Sequence, residues 1–202
     1  MLADLLDSPL IFANYSRLLL DLNRDLQAHD SIVAISEDIF IPGNQSLTES
    51  ERQHRQQLYA PFHDSAEHLI TERLQTGNPL MVISMHSFTP VYHGNQRPWH
   101  VGVLSNTDRR LADALLSILS AESDIIVGDN EPYAPTDGVY HSMALHAEKH
   151  TLPCVMLEIR NDLIADQQSQ ADWAERLAKA IQTAAAHLNT SLSALQPGTT
   201  NE

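Results

Sequence analysis

His86, Glu158 and a few arginines are the residues whose type and setting suit chemistry. His86 follows the apolar run 80–85 and has hydroxyls nearby at Ser84 and Ser87. A neutral imidazole there suits a Zn²⁺ ligand, although a strand-end hydrogen bond to backbone is the commoner role for such a residue. Ser87 makes a poor nucleophile, because the sharp turn that presents a catalytic serine needs the G-x-S-x-G pattern and His86 and Phe88 flank this one. Glu158 interrupts the apolar stretch 153–159, where a carboxylate is costly unless it is paired or held neutral. It reads either as a general base or acid acting on metal-bound water or as a buried ion pair with Arg160.

Basic residues number only 12 against 26 acidic ones, so Arg17, Arg24 and Arg97 stand out. A planar guanidinium matches a carboxylate with two parallel hydrogen bonds, which points to an anionic substrate. Arg160, beside Glu158, is a further candidate for that grip, and Arg97 serves equally well as a counter-charge to the acidic surplus. Asn130-Glu131-Pro132-Tyr133, with Tyr140 and His141 beyond Gly138, forms either a binding loop or a proline-containing turn whose Asn130 satisfies local backbone. His146 and His150 lie four apart, but no Glu follows the first as in H-E-x-x-H, so they read as solvated helix residues. His63 follows Tyr59-Ala60-Pro61-Phe62, neighbours that predict an ordered position near the site.

Elements that would position these groups follow from apolar periodicity. Two strands are expected at Leu10-Ile11-Phe12-Ala13 and Leu18-Leu19-Leu20, joined by a turn over 14–17. Thr48 with Glu51 forms a capping box that opens a helix running to about Gln75, with a break at Pro61. Next come an apolar strand at 80–85, of the kind buried on both faces, a strand at 100–104 and an amphipathic helix at 107–121. A strand at 125–127, a helix within 137–149, a strand at 153–159 and a helix at 166–188 complete the alternation. This pattern predicts a mostly parallel sheet covered on both faces, with ligand groups beyond the carboxyl ends of the strands. Three candidate strands run into polar clusters, at 21–24, at 86–90 and at 158–162. Residues 189–202 are rich in Ser, Thr and Pro and are expected to fray.

A length of 202 residues with 43% hydrophobic content implies one domain, assigned to 1–188. A formal charge of −14 disfavours nucleic acid and anionic membranes as partners. The apolar runs are far shorter than a membrane span requires, and the acidic start lacks the features of a secretory signal. The single cysteine, Cys154, excludes internal disulfides, which fits a reducing cytoplasm.

Six motifs in order carry a family resemblance: Ser16-Arg17-Leu18 with Asp21-Leu22-Asn23-Arg24, Ile41-Pro42-Gly43-Asn44, Tyr59-Ala60-Pro61-Phe62-His63, His86-Ser87-Phe88-Thr89-Pro90, Asn130-Glu131-Pro132-Tyr133 and Glu158-Ile159-Arg160-Asn161-Asp162. Together they resemble the N-formylglutamate amidohydrolase family over about residues 1–188. The resemblance implies a zinc-carboxypeptidase-like α/β fold, a three-layer α/β/α sandwich around a mixed, mostly parallel sheet. It also implies hydrolysis of the amide bond of a small acidic N-acyl amino acid by metal-activated water, with Zn²⁺ as cofactor. By the same resemblance His86 is the last zinc ligand in sequence and Glu158 the general base. Asn23 and Arg24 grip the substrate carboxylate or polarise its carbonyl, and Arg97, Asn130, Tyr133, Tyr140 and His63 line the pocket. The family begins upstream with a Glu-His motif, whereas this chain opens inside the equivalent of a later helix. The expectation is therefore of missing first zinc ligands, and of an exposed sheet edge that favours self-association.

Overall fold

The structure, a computed structural model, describes the backbone of residues 1–194 and side chains as far as residue 188. In chain order the elements are α1 (Leu2–Leu5), β1 (Ile35–Ser36), β2 (Ile39–Phe40), α2 (Glu49–Gln56), α3 (Tyr59–Gln75), β3 (Val82–Phe88), β4 (Val91–Tyr92), β5 (Asn95–Gln96), β6 (Val101–Leu104), α4 (Arg110–Leu119), β7 (Val127–Asp129), α5 (His141–His146), β8 (Cys154–Arg160) and α6 (Gln167–Ala194). The central sheet has the order β3-β8-β6-β7. β3 runs parallel to β8 and β6 parallel to β7, while β6 and β8 are antiparallel, so the sheet is mixed. Among the described residues no helix is long and apolar enough to cross a membrane.

Burial follows strand alternation. Every residue of β8 from Cys154 to Ile159 is buried. Val155, Leu157 and Ile159 join Val101 and Val103 in packing against Leu111, Leu115 and Leu119 of α4 and Trp173, Leu177 and Ile181 of α6. On the opposite face Cys154 and Met156 join Leu104 in packing against Ile70 of α3 and Met143 of α5. Helices therefore cover both faces of the sheet, and the same alternation turns Glu158 toward the α3 and α5 side.

Several boundaries differ from the sequence reading. The Thr48–Glu51 capping box does start a helix, but that helix ends at Gln56 and α3 begins at Tyr59. Pro61 breaks nothing, because it lies in the first turn of α3, where its missing N–H has no intrahelical partner to lose. β3 extends to Phe88, so His86 lies within the strand and not beyond its tip. It is an edge strand with Met85 and Ser87 exposed, and β8, like β6, is enclosed on both faces. Helix α6 continues through Ala194, past the expected fraying point at 189, and residues 195–202 lie outside the described residues.

The strands expected at 10–13 and 18–20 are absent: both stretches are irregular, and Leu10 and Phe12 are exposed. Polar side chains supply the partners that a sheet would have given. Buried Asn44 donates through Nδ2 to the carbonyls of Leu18 (2.7 Å) and Val33 (2.6 Å), and its own oxygen accepts from Arg55 Nη1. Arg55 also donates to the carbonyls of Leu19 (3.4 Å) and Gly43 (2.5 Å). Two helix-side residues thus clip down the segment that carries Arg17 and Arg24. Replacing Asn44 by Ala leaves two carbonyls and a guanidinium short of partners. We expect a loss of about 2–3 kcal/mol in denaturant unfolding, with faster amide exchange across residues 18–33.

Candidate active site

Sheet register gathers the chemistry. The β3–β8 pairing sets His86 opposite Glu158, the β8–β6 pairing sets Glu158 opposite Gly102, and the β6–β7 pairing sets Gly102 opposite Gly128. One row across the sheet therefore reads His86, Glu158, Gly102, Gly128. Half of it carries reactive groups and half carries no side chain. A Cβ on Gly102 would stand 2.1 Å from the Glu131 carbonyl oxygen and one on Gly128 would stand 2.7 Å from it. The bare half is where the 130–133 loop lies flat on the sheet, close beside Glu158.

Glu158 is buried, and its Oε2 has no hydrogen-bond partner among the described residues. Burial pushes its carboxyl up from the ordinary 4.5 to about 7, against the opposing pull of Arg17, Arg97 and Arg24. His86 moves the other way: burial lowers its pKa, Asp21 opposes that, and Arg17 and Arg24 add to it. Ser84 Oγ lies 2.9 Å from His86 Nε2. A neutral imidazole thus sits next to a carboxyl that exchanges its proton near neutrality.

Three arginines outside the sheet act on this row through their charge. Arg17 places Nε and Nη2 each 3.0 Å from Asp21 Oδ2. Arg24 donates through Nε to Asp30 (2.7 Å) and through Nη1 to the Asn23 carbonyl (3.0 Å). Arg97 is buried among rings, its guanidinium carbon 4.4 Å from the Tyr92 centroid, 4.7 Å from that of Tyr133 and 5.9 Å from that of Phe88. Its Nη1 donates to the Tyr133 hydroxyl at 2.9 Å. Aromatic faces on a guanidinium hold it by cation–π attraction while leaving its edge to donors and acceptors in plane.

Other candidates sit differently. Asn23 donates through Nδ2 to the Val139 carbonyl and accepts from the Ser142 N–H at 2.9 Å, so both ends of its amide tie the 21–24 loop to the start of α5. Arg160 does not pair with Glu158. It binds Asp162 (2.8 and 3.2 Å), and its Nη1 donates to the carbonyls of Arg97, Pro98 and Trp99, which braces the chain that carries Arg97. Asn130, in the left-handed region with φ 51°, accepts from the Ser105 N–H at 2.9 Å, as a turn residue does. Tyr140 is a core residue whose hydroxyl lies 3.7 Å from Cys154 Sγ, and burial drives its pKa far upward. His146 is buried against His63 and not solvated, because α5 packs on α3 at that point; His150 binds Glu67.

Sequence reasoning passed over Asp21, Tyr92, Gly102 and Gly128. The glycines carried a signal, since a glycine inside a strand marks a close backbone approach. Among the described residues no three His, Cys, Asp or Glu side chains converge in a way that could hold a metal ion. A catalytic zinc takes three protein ligands, so the residues described do not fit a zinc centre on their own. Shallow hollows at the end of α3, near Arg73 and Leu80, and against α6, near Trp173 and Arg176, contain neither His86 nor Glu158.

A helix-covered mixed α/β sheet, with an imidazole on its edge strand β3 beside a buried acid on the adjacent β8, is an arrangement suited to hydrolysis. Comparison with known proteins agrees. The sequence profile of the N-formylglutamate amidohydrolase family matches residues 1–165, and the chain belongs to that family. The crystal structure of gene product Atu2144 from Agrobacterium tumefaciens matches with a TM-score of 0.89 and 41% identity, covering 93% of this chain and 75% of that one. The N-formylglutamate amidohydrolase of Ralstonia eutropha JMP134 matches with a TM-score of 0.53 and 16% identity, over 84% of this chain and 75% of that one, a likeness of fold. No curated protein matches.

Two outcomes test this geometry. A carboxyl whose pKa is raised on folding stabilises the protein below its unfolded value and loses that stability as pH climbs through about 7. Glu158→Gln should therefore match the parent near pH 4 and exceed it by on the order of 3 kcal/mol at pH 8, read by denaturant unfolding. Gly102→Ala should cost about 1–3 kcal/mol, because its Cβ must displace the Glu131 carbonyl, and thermal unfolding will read it.

Proposed function

We propose that this chain hydrolyses the amide bond of a small acidic N-acyl amino acid of the N-formyl-L-glutamate type. The carrying observation is Glu158: a buried carboxyl with an unpartnered oxygen and a pKa near 7, beside His86 and within the field of three arginines. Family membership supports the substrate class. The guest's carboxylates meet Arg17, Arg24 and Arg97, where guanidinium and carboxylate geometry match. Glu158, ionised, takes a proton from the attacking water and returns it to the leaving nitrogen, a cycle that works best when the group's pKa lies near the operating pH. His86 stays neutral beside it.

A second reading is capture of the same acidic guest without turnover. It is favoured by the contrast between three cations in place and a single imidazole at the row. Formate release from N-formyl-L-glutamate, measured with and without added Zn²⁺ and alongside a calorimetric titration, separates the two. Hydrolysis should rise with pH through about 7 as Glu158 ionises, and Glu158→Gln should lower kcat by roughly 10²- to 10⁴-fold. Binding without formate release would favour capture, and the absence of both would remove the substrate class.

A further inference from the structure

The structure assigns His63 and His146 as positioning residues that set the Leu22 carbonyl, and with it the loop carrying Asn23 and Arg24, through a hydrogen-bonded imidazole pair of fixed direction. The inference rests on the reading above, in which Arg24 meets the guest's carboxylate.

His63 Nε2 lies 3.0 Å from the Leu22 carbonyl oxygen, His63 Nδ1 lies 2.7 Å from His146 Nε2, and His146 Nδ1 lies 3.4 Å from Glu67 Oε2. A carbonyl can only accept, so His63 carries its proton on Nε2. The Nδ1 of a neutral His63 is then an acceptor, and His146 must carry its own proton on Nε2. His146 Nδ1 is left bare toward Glu67, which fits the longest of the three contacts. Glu67 Oε1 takes its donors from Lys149 Nζ at 2.8 Å and His150 Nε2 at 2.9 Å. Both N–H bonds therefore point one way, from α5 through α3 to Leu22.

The surroundings keep the pair neutral. Burial lowers the His63 pKa to about 4, with His146 and His141 adding to it and the Leu22 carbonyl and Asp64 opposing. His146 is lowered by burial, against Glu67 and with Lys149 and His150. Tyr59 packs on the His63 ring at 4.0 Å between centroids, and its hydroxyl meets His141 Nε2 at 2.5 Å. Glu67 favours a second proton on His146 Nδ1, but a proton there leaves the Nε2–H donor to His63 in place, so the direction holds either way.

Leu22 is the middle of three consecutive ties. Asp21 donates its N–H to the Ser31 carbonyl (2.8 Å) and accepts from Arg17, Leu22 accepts from His63, and Asn23 holds Val139 and Ser142. The Arg24 N–H closes back on the Asp21 carbonyl at 3.2 Å. The base of Arg24 is thus tied to α3 through His63 and to the start of α5 through Asn23.

The test uses the full chain, with amide exchange over residues 21–31 and titration with N-formyl-L-glutamate. His63→Leu should speed exchange there and weaken binding, each by about tenfold, while amides of α4 and α6 stay protected. His63→Gln, which keeps one donor for Leu22 and one acceptor for His146, should restore both. Unchanged exchange in His63→Leu, or a His63→Gln that behaves like it, overturns the assignment. If His63→Leu does not fold, His146→Leu removes the donor to His63 Nδ1 and should speed the same amides by about threefold; no change there overturns it equally. A parent protein that does not bind N-formyl-L-glutamate counts against the substrate reading, and the exchange arms still decide the positioning role.

Discussion

A carboxyl group buried in the middle of an apolar strand is the constraint on which the rest of this structure depends. Glu158 belongs to a strand enclosed on both faces, and its neighbours along β8 are hydrophobic. Ionising it there is costly, and among the described residues no counter-ion touches it. Three arginines act on it through space only, so burial wins and the group stays protonated well above the usual carboxylate range. A structural ion pair would have held the carboxylate ionised and inert at neutral pH. The fold instead directs Arg160 to Asp162 and leaves Glu158 able to exchange its proton.

The same row explains why glycine is needed at two places with no chemistry of their own. Gly102 and Gly128 let the Glu131 carbonyl approach to a distance that no side chain tolerates. That approach brings Tyr133 to Arg97, and Arg97 is then fixed by rings from the β4–β5 hairpin, from β3 and from the 130–133 loop. The cation is placed by aromatic packing rather than by a carboxylate partner, so its charge is not cancelled locally.

Segments without regular structure are placed by polar side chains, some from helices and one, Asn23, from within such a segment. Asn44, Arg55, His63 and Asn23 between them engage carbonyls at Leu18, Leu19, Leu22, Val33, Gly43 and Val139. Buried backbone groups must be paired, and here the pairing fixes where Arg17 and Arg24 begin. Such a segment is only as well placed as its clips, which ties the geometry of the site to residues that touch no guest.

The sequence by itself determined the alternation of strands and helices, the capping box at Thr48, the apolar faces of α4 and α6, and His86 and Glu158 as the groups worth watching. These follow from local periodicity and from the cost of a lone charge in an apolar run, both readable over a few residues. It misjudged 10–13 and 18–20 as strands because apolar runs look alike whether a sheet or a set of polar clips receives them. It read His146 as solvated because a helix face shows nothing of what packs on it, and here α3 does. The meeting of His86 with Glu158, the glycine half of their row and the ring-held Arg97 were decided by tertiary structure. Register between strands far apart in the chain is set by the packing of both faces at once, and no stretch of sequence encodes that alone.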